Sequence, residues 1–239
     1  MERNVKDLRI NGVGKASGGL YGKIQAEGIA TLNGDITCSV LKANGTLKIN
    51  GTAVTEEFRL NGTGSSEGAL RGGQLELDGM FKVSGDVHFS SLHVRGMLKS
   101  GGSSTGDKAK VDGSFRLAGD AEFEEAEVYG QIQVGGMLNA GRLQIDMDGP
   151  SRAKEIGGER IVVRLKKSRR LLDFLSPLGG TRLTADVIEG DDIHLEGTKA
   201  EVVRGKSVVI GPGCEIGRVE YKEYFEQSPQ ASVGRAEQI

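Results

Sequence analysis

Between Ile24 and Arg142 the apolar residues come in short alternating pairs, such as Leu75/Leu77, Phe81/Val83 and Val87/Phe89, with polar residues between the two members. An i, i+2 pair points to one face of an extended strand and the residue between points to the other. Three such pairs follow one another before the pattern repeats, as Leu75 does at Leu92 and Leu77 at Val94. Counted from Ile24, Leu41, Phe58, Leu75, Leu92, Ala109 and Ala126, the apolar residues fall mostly at positions 1, 3, 7, 9, 13 and 15 of seven units. Two glycine series keep the same step, one from Gly28 to Gly130 and one from Gly34 to Gly136. They mark two of three corners per unit, and Asn44, Asn61, Asp78 or Asp112 stands before the first of them. A corner that turns through φ > 0 favours glycine and tolerates asparagine or aspartate, so both series are expected to serve that need.

Asn-Gly between alternating segments is also the signature of a β-hairpin. Segments of about three strand residues, however, would make a marginal antiparallel meander. A fixed period of this size fits a solenoid, in which each unit is one lap and stacks on the next. The expected fold is all-β: a right-handed parallel β-helix of about eight three-sided coils with a 17-residue period, followed by a C-terminal β-rich extension. Residues 1–7 read as an arm, and 8–23 as an imperfect first coil carrying Leu8/Ile10, Gly12, Gly14, Leu20 and Tyr21. The glycines there do not satisfy the phosphate-loop pattern, and no strand-to-helix transition follows. Small or polar residues at inward slots (Gly64, Ser66 and Gly72; Ser100, Ser104 and Gly106) mark the third and fifth units as the softest.

Beyond Ile145 the period breaks at Met147-Asp-Gly-Pro150. Residues 8–150 are therefore taken as the β-helix, and 151–182 as an insertion holding one strand (Ile161, Val163, Leu165) and a short helix that Ser168 caps and Pro177 ends. That insertion joins a basic cluster (Lys166, Lys167, Arg169, Arg170) to an apolar side (Leu171, Leu172, Phe174, Leu175), which reads as packing on the β-helix flank, with a membrane surface or a partner groove as alternatives. Residues 183–225 read as irregular β-helical coils that extend the stack, and 226–239 as a disordered tail.

Composition narrows the function. The chain has 239 residues, 38 glycines, no tryptophan and 37% apolar residues, which suits narrow coils better than a globular core. With 31 basic against 33 acidic residues there is no global field to recruit nucleic acid or an anionic membrane. Cys38 and Cys214 give no disulfide framework, and Cys38 falls on an inward position. The start lacks an apolar leader core and no long apolar run follows, which places the chain in the cytoplasm. The sequons at Asn44, Asn50 and Asn61 read as corner chemistry. His88, His93 and His194 sit between inward residues and so face outward, away from one another, and no metal or cofactor is expected. Glu122, Glu124, Glu125 and Glu127 form one solvated ridge rather than a carboxylate pair across a cleft.

The ordered set Leu8-x-Ile10-x-Gly12-x-Gly14, Gly18-Gly19-x-Tyr21, Ile24, Gly28 and Asn33-Gly34-Asp35-Ile36-x-Cys38 resembles the opening of bactofilins, bacterial polymer-forming cytoskeletal proteins. The resemblance covers about residues 5 to 147. It implies a β-helix that assembles end to end without nucleotide and positions other proteins in a bacterial cell, in shape, envelope or motility functions. The chain departs from the family in lacking Pro-rich tails and in its long C-terminal portion. Partners expected on this reading are further copies of the chain, a paralogous scaffold, a membrane surface or cell-envelope proteins, with no nucleic acid and no small-molecule substrate. The terminal coils would carry the polymer contacts: Leu8, Ile10, Leu20 and Tyr21 at one end, and either Leu143/Ile145 or Val219/Tyr221 at the other. Six inward side chains per end would contribute about 9 to 18 kcal/mol. The competing class is a β-helix enzyme, a hexapeptide acyltransferase or polysaccharide lyase, suggested by Ile210-Gly-Pro-Gly-Cys214-Glu-Ile216-Gly. Hexapeptide coils run in sixes, whereas the period here is 17.

Overall fold

The computed structural model of the chain describes residues 5–166 and 180–239. It is an all-β, parallel β-solenoid of about 13 turns with a ~17-residue period, more turns than the eight expected. The chain divides into two compact units, 1–118 and 119–239.

The first unit comprises β1 (Leu8–Leu20), β2 (Lys23–Asn50), β3 (Ala53–Ser66), β4 (Leu70–Val83), β5 (Val87–Ser100) and β6 (Ser104–Leu117), each paired in parallel with the next. From β2 to β6 the register keeps one constant step, as in Ile36↔Ala53 and Leu75↔Leu92. The inward positions read from the sequence are the buried ones: Leu75, Leu77, Phe81, Val83, Val87 and Phe89 are each at most 2% exposed.

The two glycine series turn out to meet different demands. Gly28, Gly45, Gly62, Gly79, Gly96 and Gly113 all have positive φ, as +113° at Gly28 and +138° at Gly113, and a Cβ on Gly79 would run into the carbonyl oxygen of Gly62 in the preceding coil. In the second series only Gly34 has positive φ. Close stacking is what holds other members to glycine, since a Cβ on Gly68 would lie 2.6 Å from the Thr52 nitrogen. The expectation of φ > 0 at both corners is thus corrected at one of them.

The slots expected to be soft are largely filled from the neighbouring coil. Phe81 reaches under Gly64 and Phe89 under Gly72, where an added Cβ would come within 2.6 and 2.7 Å of the rings. Phe81 also meets Phe58 edge-on at 5.4 Å between centroids. Ser66 and Ser100 donate their hydroxyls to the carbonyls of Gly51 and Gly85, at 2.9 and 2.6 Å. Among these slots in the described residues, only Ser104 keeps a buried hydroxyl with no partner.

The second unit comprises β7 (Ala121–Val134), β8 (Met137–Met147), β9 (Ser151–Arg152), β10 (Glu155–Leu165), β11 (Leu183–Leu195), β12 (Thr198–Ile210), β13 (Glu215–Gln227) and β14 (Ser232–Gln238). Its strands pair in parallel in the order β7-β8-β10-β11-β12-β13-β14, with β9 against β7 and β11. The solenoid therefore does not end at 150. The β8-to-β10 lap, Met137↔Glu155, is one position longer than the regular step, and Asp148-Gly-Pro150 turns a corner within it. The segment 155–165 is a full coil strand rather than part of an insertion. The segment 183–225 continues this stack with slightly shorter laps, as in Val187↔Val202 and Val203↔Val219. Lys166 is exposed, whereas the short helix expected over 168–177, with Lys167, Arg169, Arg170, Leu171, Leu172, Phe174 and Leu175, lies outside the described residues.

The segment 226–239 is not a disordered tail. Ser232–Gln238 pairs in parallel with β13, Glu215↔Ser232 through Tyr221↔Gln238, and the Ser232 amide donates to the Cys214 carbonyl at 2.8 Å. The physical reason stands in the sequence as an echo at the regular spacing, Ile216-Gly-Arg-Val-Glu220 against Val233-Gly-Arg-Ala-Glu237. Its polarity follows from its position, since no later coil covers its outer side among the described residues.

Candidate assembly interface

A β-solenoid exposes strand edges only at its terminal coils, and an open row of backbone N–H and C=O groups is a template for another chain. β1 is such a strand. Its one paired edge lies against β2, its inward Leu8 is half-buried over the fully buried Ile24, and Leu20, in register with the exposed Thr37, faces outward and is 48% exposed. Ile10 is 7% exposed, because the missing side chain at Gly14 lets it fold across the lap, its Cγ2 standing where a Cβ of Gly14 would be only 2.7 Å away. Tyr21 is half-buried and donates its hydroxyl to the Ser17 carbonyl at 2.7 Å, closing the end of the coil. The Asp7 carboxylate accepts the Lys23 amide at 2.9 Å and fixes where the first coil enters.

The structure thus brings Leu8, Ile10, Leu20 and Tyr21 together on one lap. The inward set of that lap is not six large side chains, since Gly14 and Ala16 take two of the places. Ile10 is already buried and Leu20 faces outward, so Leu8 is the large inward side chain with area left to cover, and at about 1.5–3 kcal/mol for a fully buried apolar side chain it supplies only a small part of the expected contribution. Backbone pairing along the open edge of β1 has to carry the rest.

The other expected end is corrected in both its versions. Leu143 and Ile145 are 2% and 0% exposed and are paired on both sides, to Ala126/Val128 in β7 and to Ile161/Val163 in β10. They are interior. Val219 is fully buried and Tyr221 half-buried, stacked on Phe225 at 5.3 Å, and β14 lies over their strand. Among the described residues the outer strand of the second unit is β14, with Val233 half-buried, Arg235 ion-paired to Glu237 and Ile239 59% exposed. Tyr224, 49% exposed, is on the part of β13 that β14 does not cover. The repeat of Gly-Arg-x-Glu at 217–220 and 234–237 is the signal by which this strand could have been found.

The remaining candidates lie apart. His88 is exposed and hydrogen-bonded to the Thr105 hydroxyl at 2.7 Å, His93 lies 3.7 Å from the Asp112 carboxylate, and His194 lies 3.9 Å from Glu196. Glu122, Glu124 and Glu127 are exposed, and Glu125 is ion-paired with Arg142. Among the described residues no three His, Cys, Asp or Glu side chains converge to hold a metal ion. Both cysteines are buried and free, and burial pushes the Cys214 thiol up to about 11. No described helix is long and apolar enough to cross a membrane.

No protein-family model matches the chain, and no solved structure matches it. The uncharacterized protein YhbE of Bacillus subtilis (strain 168) is 43% identical over 97 residues, 40% of each chain. YhbF of the same organism, also uncharacterized, is 53% identical over 228 residues, spanning 95% of this chain and 94% of its own length. At that identity and coverage, this chain belongs to the family of Bacillus subtilis YhbF.

Proposed function

We propose that the chain is a bactofilin-like, non-enzymatic scaffold of the bacterial cytoplasm, which associates with copies of itself through the open β1 coil, without nucleotide, and positions partner proteins. The observation that supports this most is the state of β1: one edge is paired and, among the described residues, the other is open, beside the partly covered Leu8. An open edge of this length with apolar residues at its rim is what other proteins blunt with charge, proline or a covering segment. The occurrence of two related chains, YhbF and YhbE, in one organism fits a scaffold that also co-assembles with a paralogue.

Negative-stain electron microscopy of the purified full chain, in buffer without nucleotide or divalent metal, tests the reading. Filaments are expected, and Leu8→Arg is expected to remove them while leaving the circular dichroism spectrum and the melting temperature close to wild type. Discrete particles of fixed size at every salt and protein concentration would overturn the scaffold reading in favour of the enzyme class.

A further inference from the structure

The three faces of the first unit's laps carry their charges differently. On the face that begins at position 1 the cations are matched: Lys42 with Glu57 at 3.2 Å, Arg59 with Glu57 and Glu76, and Arg95 with Asp78. The face that follows the positive-φ glycines is different. One outward column there contains Lys15, Lys48, Lys82, Lys99 and Arg116, with Thr31 and Ser65 between them and no carboxylate. Lys82, Lys99 and Arg116 are consecutive in the ladder, like charges about 4.8 Å apart. Only Glu67 adds an acid to this face, and it pairs with Lys48 at 3.3 Å.

Among the described residues, Lys15, Lys82 and Lys99 make no ion pair, and the Arg116 Nε is buried without a hydrogen-bond partner. The acids at the two flanking corners are engaged elsewhere. Asp35 and Asp86 accept the Thr52 and Ser103 amides at 2.7 and 2.9 Å, Glu27 accepts from Asn44, and Asp78 is held by Arg95. Stacking like charges in register costs stability, and among the described residues no carboxylate pairs with Lys82 or Lys99 to offset it.

Beside the cations runs a second outward column with an apolar pair at each of two places, Val13/Ile29 and Met80/Met97, and Thr46, Thr63 and Ser114 at its other positions. Val13 is 80% exposed, Ile29 50% and Met80 51%, with Val13 opposite Ile29 and Met80 opposite Met97. A row of five cations to one carboxylate, about 29 Å long from Lys15 to Arg116, lies beside the exposed Val13, Ile29 and Met80. We propose that this face of the first unit docks on an anionic lipid bilayer, the lysines meeting headgroup phosphates and Val13, Ile29 and Met80 entering the headgroup–acyl boundary. A nucleic acid would satisfy the cations alone. It offers nothing to the apolar pairs, and the face presents no aromatic ring for base stacking. The inference does not depend on self-assembly.

Co-sedimentation of the full chain with vesicles of phosphatidylglycerol and phosphatidylcholine tests it, with pure phosphatidylcholine vesicles and a DNA duplex as comparison probes. The chain is expected to sediment with the anionic vesicles only. K82E/K99E is expected to weaken that partition at least about tenfold, K82Q/K99Q by less, and Met80→Ser to weaken it by an amount that salt does not change. Arg71→Glu/Lys222→Glu, the same charge change on other surfaces, is expected to bind as wild type. Absence of vesicle binding, equal loss in that control pair, or DNA binding that displaces the vesicles would each overturn the proposal. Micrographs of the same samples score filaments separately, so failure of lipid binding and failure of the scaffold reading are told apart.

Discussion

A hydrogen atom in place of a Cβ lets one coil sit on another at Gly79, where φ is +131° and the Gly62 carbonyl occupies the space a side chain would need. Gly79→Ala therefore meets both backbone strain and backbone overlap, and neither can relax by rotating a side chain. A loss of at least about 2 kcal/mol is expected, read by chemical denaturation against Ser84→Ala, an exposed position, as control. Cys214 makes a different residue-scale point. Its thiol is buried and its titration is pushed up to about 11, first by desolvation, so little thiolate forms at pH 8. Labelling of the folded chain by iodoacetamide at pH 8 is expected to leave Cys214 intact over times that modify it fully in denaturant.

At the scale of elements, β14 closes the second unit over β13, and it does so mainly with backbone. The Ser232 and Ile239 amides donate to the Cys214 and Tyr221 carbonyls at 2.8 and 2.9 Å, while most of its side chains remain exposed. A chain ending at Gln227 is expected to melt at lower temperature and to let Cys214 react with iodoacetamide faster than in the full chain. Between strands, Arg204 joins β11 to β13: it donates to Glu189 at 2.9 Å and to Glu220 at 2.6 Å. The hydrogen bond from Arg204 holds the Glu220 carboxyl below its ordinary value of 4.5. A carboxyl lowered in the folded state stabilises above its unfolded pKa, and that contribution drains away as pH falls through the lowered value. The stability gap between wild type and Arg204→Met is therefore expected to be largest from about pH 5 upward, above the ordinary carboxyl range, and to close on acidification. A gap that is constant with pH would assign Arg204 a packing role.

At the scale of the whole molecule, rim and interior respond differently to the same change. Leu8 stands on the open coil, whereas Ile145 is fully buried between two laps. Ile145→Arg is expected to abolish cooperative folding of the second unit, seen as a lost melting transition, whereas Leu8→Arg spares folding and acts on assembly. The solenoid class was legible because the repeat is simple: three alternating pairs per lap, at constant spacing, let the inward columns from Ile24 to Ala140 be named in advance. What the period could not reveal was where the stack stops. Leu143 and Ile145 look terminal only because Met147-Asp-Gly-Pro150 resembles a stop, and a slightly longer lap, Met137↔Glu155, absorbs it. The shorter C-terminal laps hide in the same way, since their alternation survives while their spacing drifts. By itself, then, the sequence determined the coil, its inward columns and its glycine corners, because these depend on local alternation and on the absence of a Cβ. Only the tertiary structure decided which strands are outermost and which charges line up, because stacking joins residues as far apart in the chain as Glu155 and Val187, and no local rule fixes that register.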